Sequence, residues 1–376
     1  MKEKKKLLFL LPSLRGGGAE RVAVNLIPFL AKYFDLTLIL LEGKIEYELP
    51  QANFNLISIS KELRSPIRHL INTPSHFFEF YRLIKELRPD IILSFMEQAN
   101  IINLVISKLT KHKTIITQHV VPSRQFSHKG LLGKIIFKIS KGLYNNAQLI
   151  IAVSQGVLDD LYKSYSIKKN ITVIPNPIDF YFIKRKSLKP PEIKLTQEFF
   201  LCPGRLVIAH KAQDLLLRAF RKVLLYSPSI LLLFAGEGPD LSKLEVLSKE
   251  LGISDNVMFL GWRKDLWSLM YCSIATILAS RYEGWPMVLI EAMAAGSPVI
   301  ATDCPSGPKE ILDNGRFGML VPMEDEDALA NAMIEMASSE EIRKHYKRLG
   351  QKRAKEFDIN FIGKRYVEEI LRVLRE

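Results

Sequence analysis

Residues 274–301 read IATILASRYEGWPMVLIEAMAAGSPVIA, and this stretch decides the fold. Ile274–Leu278 is a short apolar run, Met287–Ala294 has a helix composition, and Pro298–Ala301 is a second short run. Short apolar runs on either side of a helix are what a parallel sheet buried on both faces produces. Pro286 fits the first helical turn, where its missing N–H costs nothing.

The alternation extends in both directions. Upstream come Phe199–Cys202, helix Ala212–Tyr226, Ile230–Ala235, helix Asp240–Leu251, Val257–Leu260 and helix Asp265–Tyr271; two more helices follow to the end. An earlier set runs through Leu7–Leu11, helix Glu20–Lys32, Leu36–Leu41, helix His76–Leu87, Ile91–Phe95, Lys113–Thr117, helix Gly130–Leu143, Gln148–Val153 and Ile171–Ile174. The first set stops at Pro175-Asn176-Pro177, and the Lys- and Pro-rich stretch after it reads as a linker. The fold class expected is α/β with two doubly wound domains: 1–178, a linker at 179–197, then 198–358 and a last helix at 359–376. Ligands are expected at the carboxyl ends of the strands, in a cleft between the domains.

Composition sets the partners. The 376 residues hold 53 Lys+Arg and 40 Asp+Glu, a net charge of +13. Residues 1–190 hold 29 and 14 of these, the rest 24 and 26, so the basic excess sits in the first half. That half is expected to meet an anionic partner: a membrane surface, a lipid diphosphate or nucleic acid. Lys134, Lys138 and Lys141 lie at i, i+4, i+7 of a helix whose other face is expected to carry Leu132, Ile135, Ile136 and Ile139. Such a helix suits an anionic bilayer, though a solvated face over a core stripe fits as well. Arg64, Arg68 and His69, with the aromatic segment 77–81, form a second candidate for a lipid diphosphate. Three scattered cysteines (Cys202, Cys272, Cys304) form neither a disulfide framework nor a metal spacing, which favours a reducing compartment. The apolar run after the N-terminal lysines is shorter than a signal peptide needs, and reads as a first strand. No apolar stretch reaches the roughly 20 residues of a membrane span.

Three segments carry candidate chemistry. Arg15-Gly16-Gly17-Gly18-Ala19-Glu20-Arg21 follows the first strand, where glycines permit close approach and a helix start offers N–H groups to an anion. Glu42, at the end of the next strand, keeps a nicotinamide enzyme open as an alternative. Gly204-Arg205-Leu206 with Lys211 puts two cations after the first strand of the second domain, suited to a diphosphate leaving group. Gly236-Glu237-Gly238-Pro239 ends the next strand, as a phosphate approach or a plain turn. Glu283-Gly284-Trp285-Pro286-Met287-Val288-Leu289-Ile290-Glu291 opens a helix. An acid near a helix start is a common macrodipole choice, which accounts for Glu283. It does not account for Glu291, which is costly to bury among apolar neighbours without a polar partner.

These segments together resemble the GT-B retaining glycosyltransferases of the group-1 (family 4) type. Glu-x7-Glu at 283–291, Gly204-Arg205-Leu206 with Lys211, Gly16 to Arg21 and Pro175-Asn176-Pro177 match in order, over essentially the whole chain. The nearest likeness is to bacterial enzymes that build O-antigen or N-linked glycan on a polyprenyl-diphosphate carrier, N-acetylgalactosamine transferases among them.

The resemblance implies two Rossmann-like domains, with the last helix crossing back onto the first. It gives the donor diphosphate to Arg205, Lys211, Gly17, Gly18 and the amides of Met287 and Val288. Donor sugar and ribose fall to Glu283, Gly284, Trp285, Pro286 and Glu291. His119 matches a histidine near the reacting sugar, and with Glu283 makes the catalytic pair. The implied reaction is retaining, with a UDP-sugar favoured as donor, no cofactor, no essential metal and domain closure to exclude water. The acceptor implied is a polyprenyl-diphosphate-linked saccharide. The location implied is cytoplasmic, peripheral on the inner membrane face.

One departure stands out. The family places the lysine five residues after the arginine and follows it with glycine; here Lys211 is six after Arg205 and Ala212 follows, so a bulge is expected near Ala209–His210. Asp325-Glu326-Asp327 mimics a metal-binding Asp-x-Asp but precedes a helix, where acids are favoured anyway; Asp159-Asp160 reads as helix surface. A nucleic-acid binder explains the charge asymmetry but not the motifs of the second half. A nucleotide-sugar-binding protein without transferase activity has the same sequence signature.

Overall fold

The computed structural model describes residues 4–60, 66–127, 130–168 and 170–376, with side chains described except at 66–76, 125–127, 130 and 132. It contains two compact units, Met1–Pro177 with Ile359–Glu376, and Ile178–Asp358. In the first unit, β1 (Lys6–Leu11), β2 (Asp35–Glu42), β3 (Asn55–Ser60), β4 (Ile91–Phe95), β5 (Lys113–Gln118), β6 (Leu149–Ala152) and β7 (Ile171–Val173) form a parallel sheet in the order β3-β2-β1-β4-β5-β6-β7. In the second, β8 (Phe199–Pro203), β9 (Leu231–Ala235), β10 (Val257–Phe259), β11 (Ala275–Leu278), β12 (Val299–Thr302) and β13 (Met319–Val321) form a parallel sheet in the order β10-β9-β8-β11-β12-β13. Both sheets are doubly wound, and strand order reverses at β1 and at β8. The turns after those two strands are therefore where a Rossmann-like unit presents ligand sites.

The last helix, Ile359–Arg375, belongs to the first unit. It packs on the Gly18–Tyr33 helix so closely that a Cβ on Gly363 would lie 2.8 Å from the Phe29 ring. Lys113 Nζ donates to the carbonyls of Val373 and Leu374 at 2.8 and 3.0 Å, satisfying the orphan end of that helix.

Several elements depart from the sequence reading. The linker at 179–197 holds a helix, Phe180–Ser187, which is part of the second unit. Its Phe180 and Ile183 are buried, and Ser187 Oγ donates to Ala295 O at 3.2 Å. The basic residues on its outer side give the segment a linker's composition. That reassignment also sharpens the charge division: the first unit holds 29 Lys+Arg and 16 Asp+Glu, the second 24 of each. The whole excess of +13 therefore lies on one unit. Strand β3 went unrecognised because it is an edge strand with mostly exposed or half-exposed residues. The Glu97–Thr110 helix was missed because Asn100 and Asn103 sit on its buried face. There Asn100 Nδ2 donates to Thr117 O at 2.8 Å and Asn103 Nδ2 to Ser94 Oγ at 3.0 Å.

Candidate functional site

In the second unit, β8 ends in a turn at Gly204 (φ +139) that lies against the turn after β9. Gly204 N donates to Ala235 O and Leu206 N to Glu237 O, each at 2.9 Å. A Cβ on Gly236 would sit 2.0 Å from Gly204 O, and one on Gly238 2.2 Å from Leu206 O. Those two glycines are thus required by turn-on-turn packing, and that packing explains the Gly236–Pro239 motif without a ligand.

The one-residue departure is absorbed by a single helical turn, Ile208–Lys211, closed by Lys211 N donating to Val207 O at 2.8 Å. It ends at Ala212, which adopts φ +48, ψ 39 where the family pattern has glycine. Arg205 emerges as an exposed cation with no ion pair among the described residues. Lys211 instead turns inward, its Nζ 2.6 Å from Glu283 Oε1.

Glu283 follows β11 and is buried. Its Oε1 also accepts from Ser280 Oγ at 2.7 Å, and His210 Nε2 lies 3.9 Å away. Its backbone is fixed by Glu283 N donating to Pro305 O at 2.9 Å and Ser306 N to Glu283 O at 2.8 Å. Burial pushes the carboxyl pKa up, but the Lys211 ammonium and the hydrogen bonds from Lys211 and Ser280 outweigh it and hold the group below the usual carboxylate range. Burial also lowers the His210 pKa more than Glu283 raises it, so the imidazole is neutral at pH 7 and Lys211 carries the effect. The result is an ionised, immobile carboxylate: an acceptor for hydroxyl groups, with an ammonium beside it.

The next residues open the Met287–Ala295 helix, with Pro286 at its N-cap. The amides of Met287 and Val288 fall in the first turn, where no helical carbonyl is available to them. Glu291, one turn further in, is buried as anticipated. Trp285 is a correction: its indole is buried against Phe357, ring centroids 5.3 Å apart, so it packs the unit and leaves only its backbone to a ligand. Gly284 O accepts from Ser306 Oγ at 3.4 Å. The Asp325–Asp327 acids are in structural use. Asp325 accepts from Ala328 N at 2.8 Å as a helix cap, while Glu326 and Asp327 pair with Lys222 at 2.9 and 2.6 Å.

The first unit presents a different turn. Gly16 takes φ +86, Gly17 caps the Gly18–Tyr33 helix, and Tyr47 OH donates to Gly17 O at 2.8 Å. The Glu20 side chain folds back over this turn, so that a Cβ on Gly17 would lie 2.3 Å from its Oε2. Burial raises the Glu20 pKa, only partly offset by the bond from its own amide. Glu42, the ribose-binding acid of the nicotinamide alternative, is buried and bridged by Arg15 at 2.5 Å. His119 follows β5, its Nε2 2.8 Å from Thr117 Oγ1 and its ring 4.5 Å from that of Phe95. Burial drives its pKa down to about 3, against a smaller opposing effect of Asn176, so it is a neutral polar group.

Of the basic candidates, Arg64 lies outside the described residues, and so does the side chain of Arg68 on its Pro66–Leu87 helix. Of the aromatic segment beside them, Phe80 is fully buried and Phe77 and Tyr81 pack against the same core cluster, while Phe78 is exposed. Lys134, Lys138 and Lys141 are exposed on the Gly130–Tyr144 helix. So are Leu131, Ile135 and Ile139, at 76, 49 and 45%. Of the two readings of this helix, the core-facing stripe does not hold for Ile135 and Ile139; with Leu131 they form an exposed apolar stripe beside the lysines.

The site residues that sequence reasoning missed are Ser280, Tyr282 and Arg281. Tyr282 stacks on His210 at 4.2 Å, and His210 Nε2 donates to Tyr282 O at 2.9 Å. Their only signal was proximity to Glu283 and Lys211 in the chain.

Residues 16–181 match Glycosyltransferase Family 4, and residues 183–354 match Glycosyl transferases group 1. An N-acetylgalactosamine-N,N'-diacetylbacillosaminyl-diphospho-undecaprenol 4-alpha-N-acetylgalactosaminyltransferase of Campylobacter jejuni is 32% identical over 94% of this chain and 96% of its own. The chain belongs to the group-1, family-4 glycosyltransferases. Among glycosyltransferases it is also similar to a lipopolysaccharide 1,6-galactosyltransferase of Salmonella typhimurium, 30% identical over 65% of each chain. HepE of Anabaena in complex with UDP superposes with a TM-score of 0.78 at 20% identity, covering 97% of this chain and 99% of that one. This glycosyltransferase therefore has the GT-B fold of two Rossmann-like units. Among its described residues, no helix is long and apolar enough to cross a membrane.

Proposed function

We propose that this glycosyltransferase moves a hexose or N-acetylhexosamine from a UDP-sugar to a polyprenyl-diphosphate-linked saccharide, with retention of anomeric configuration and without an essential metal or cofactor. The observation that carries the reading is the 2.6 Å pair of half-buried Lys211 with buried Glu283, joining the turn that carries exposed Arg205 to the segment that opens the Met287–Ala295 helix. Two cations and a helix start suit a diphosphate, and an ionised carboxylate next to them suits sugar hydroxyls. Glu291 is assigned to the ribose, with Gly284 and Pro286 shaping the sugar side. His119, held neutral, is assigned to a hydrogen bond with the sugar. Gly17 and Gly18 come to the diphosphate from the resemblance; for that, the Glu20 carboxyl must swing aside from Gly17.

In the reaction proposed, an acceptor hydroxyl attacks the anomeric carbon on the face the diphosphate leaves. The bond from that carbon to the phosphate oxygen breaks, and the hydroxyl proton passes to the departing oxygen. Arg205, Lys211 and the helix amides stabilise the charge that develops there, and Glu283 fixes the sugar. The acceptor class is supported by the Campylobacter relative, whose name specifies a diphospho-undecaprenol-linked substrate. Attachment to the inner face of the cytoplasmic membrane is supported by the +13 of the first unit and by the lysines and exposed aliphatics of the Gly130–Tyr144 helix. Nucleic acid has no role in this reading.

The test is a donor screen over UDP- and GDP-sugars with a polyprenyl-diphosphate acceptor, in detergent and in anionic vesicles, with the product anomer determined. A UDP-sugar should give an α-linked product. Arg205→Ala and Glu283→Ala should each lower turnover by roughly two orders of magnitude or more with the fold intact. Lys138→Glu should lower it in vesicles only. Wild-type turnover in both site variants, or an inverted product, would overturn the assignment.

A further inference from the structure

Arg281 lies two residues before Glu283, in the loop after β11, and is tied to the turn that carries Lys211. Its backbone N donates to His210 O at 2.8 Å, and its Nη1 to Ile208 O at 2.6 Å. Both acceptors belong to the Ile208–Lys211 turn; Ile208 O already accepts from Ala212 N at 3.0 Å, so Nη1 adds a second bond to it, while the bond to His210 O ties the turn to the loop after β11. The rest of the guanidinium is gripped on two sides. Asp214 lies at 3.2 Å from Nη1 and 3.4 Å from Nη2, and Glu324 at 2.6 Å from Nε and 3.1 Å from Nη2.

A single helical turn has no cooperative stability of its own, so its position must come from outside. The Ile208–Lys211 turn also ends in a left-handed alanine, which favours leaving that conformation. Arg281 supplies the outside restraint with a rigid planar fork that a lysine cannot reproduce. Asp214 is itself braced by Arg218 at 2.9 Å, which stiffens the far side. Among the described residues, the ion pairs of Lys222 are with Glu326 and Asp327, and none is with the turn.

We propose that Arg281 is a positioning residue: it locks the Ile208–Lys211 turn to the loop bearing Glu283 and so seats the Lys211 ammonium for the donor diphosphate. The proposal rests on the donor-site reading above and adds to it a residue that touches no substrate.

Calorimetric titration with UDP at fixed pH tests it, using the full chain. Arg281→Gln should weaken UDP binding by roughly tenfold, the scale of one charge-assisted hydrogen bond, with unfolding still cooperative. Lys211→Ala should weaken it at least as much. Adding Arg281→Gln to Lys211→Ala should then cost less than about twofold more, because the first acts through the second. Lys222→Ala should bind as wild type, and Arg281→Lys should recover only part of the loss. Wild-type affinity in Arg281→Gln, or additive losses in the double variant, would overturn the proposal and leave the donor site standing. Wild-type affinity in Lys211→Ala would overturn the donor-site reading and the proposal with it. Should Arg281→Gln not fold, Asp214→Asn loosens the same brace from outside, and its loss must show the same non-additivity.

Discussion

The turns after β1 and β8 occupy equivalent places in two Rossmann-like units, yet their charges are arranged in opposite ways. After β1, Arg15 is spent on Glu42, and the Glu20 carboxyl folds over Gly17 onto its own amide. After β8, Arg205 stays exposed without an ion pair among the described residues, and Lys211 holds a buried Glu283. A glycine-rich helix start is therefore not enough to make an anion site. What separates the two turns is Arg205, which has no ion pair among the described residues, whereas Arg15 is paired with Glu42.

The pH dependence of stability should expose that contrast most strongly. Glu283 has a lowered pKa, so its contribution is fully present above the unfolded value of 4.5 and is lost as pH falls through the folded value. Glu20 has a raised pKa, so its contribution is present below 4.5 and is lost as pH rises through the folded value. At pH 7, Glu283→Gln should lower the melting temperature, because it leaves a largely buried Lys211 without its carboxylate. Glu20→Gln should raise it by a smaller amount, and near pH 4 the Glu20 effect should vanish. Melting curves of both variants from pH 4 to pH 8 check this; shifts of the same sign at pH 7 would erase the distinction.

A smaller effect is expected at Ala212. Glycine there would relieve about 1–2 kcal/mol of left-handed strain. It would also give up about 0.8 kcal/mol of buried methyl and about 0.4–1 kcal/mol through a freer unfolded chain. These nearly cancel, so Ala212→Gly should lie within about 0.5 kcal/mol of wild type by urea unfolding. A loss above about 2 kcal/mol would mean that the methyl is packed far better than its strain costs. The near-cancellation also explains how the chain tolerates alanine where the family pattern has glycine.

Much of this was legible in the sequence because the strands are buried on both faces. Continuous apolar runs such as Leu7–Leu11 and Ile91–Phe95 announce a parallel sheet and fix its order of appearance. Legibility failed where burial was not apolar or strands were not buried. Asn100 and Asn103 broke the helical pattern of 97–110, edge strand β3 lacked an apolar run, and the basic side of Phe180–Ser187 passed for a linker. At the site, Glu283, Glu291, Arg205 and Lys211 were readable from spacing and family likeness. The Lys211–Glu283 bond, the Arg281 brace and the packing role of Trp285 were not, since each depends on segments some 70 residues apart meeting in space. The exposed Leu131–Ile135–Ile139 stripe was likewise hidden, because an apolar repeat cannot say which way it faces.

The central claim is that the turn after β8 and the Glu283 helix start hold a nucleoside diphosphate. Amide hydrogen exchange with and without saturating UDP tests it most directly. Exchange should slow at residues 204–211 and 283–290. No slowing in either segment under UDP, or slowing there under NAD instead, would contradict it.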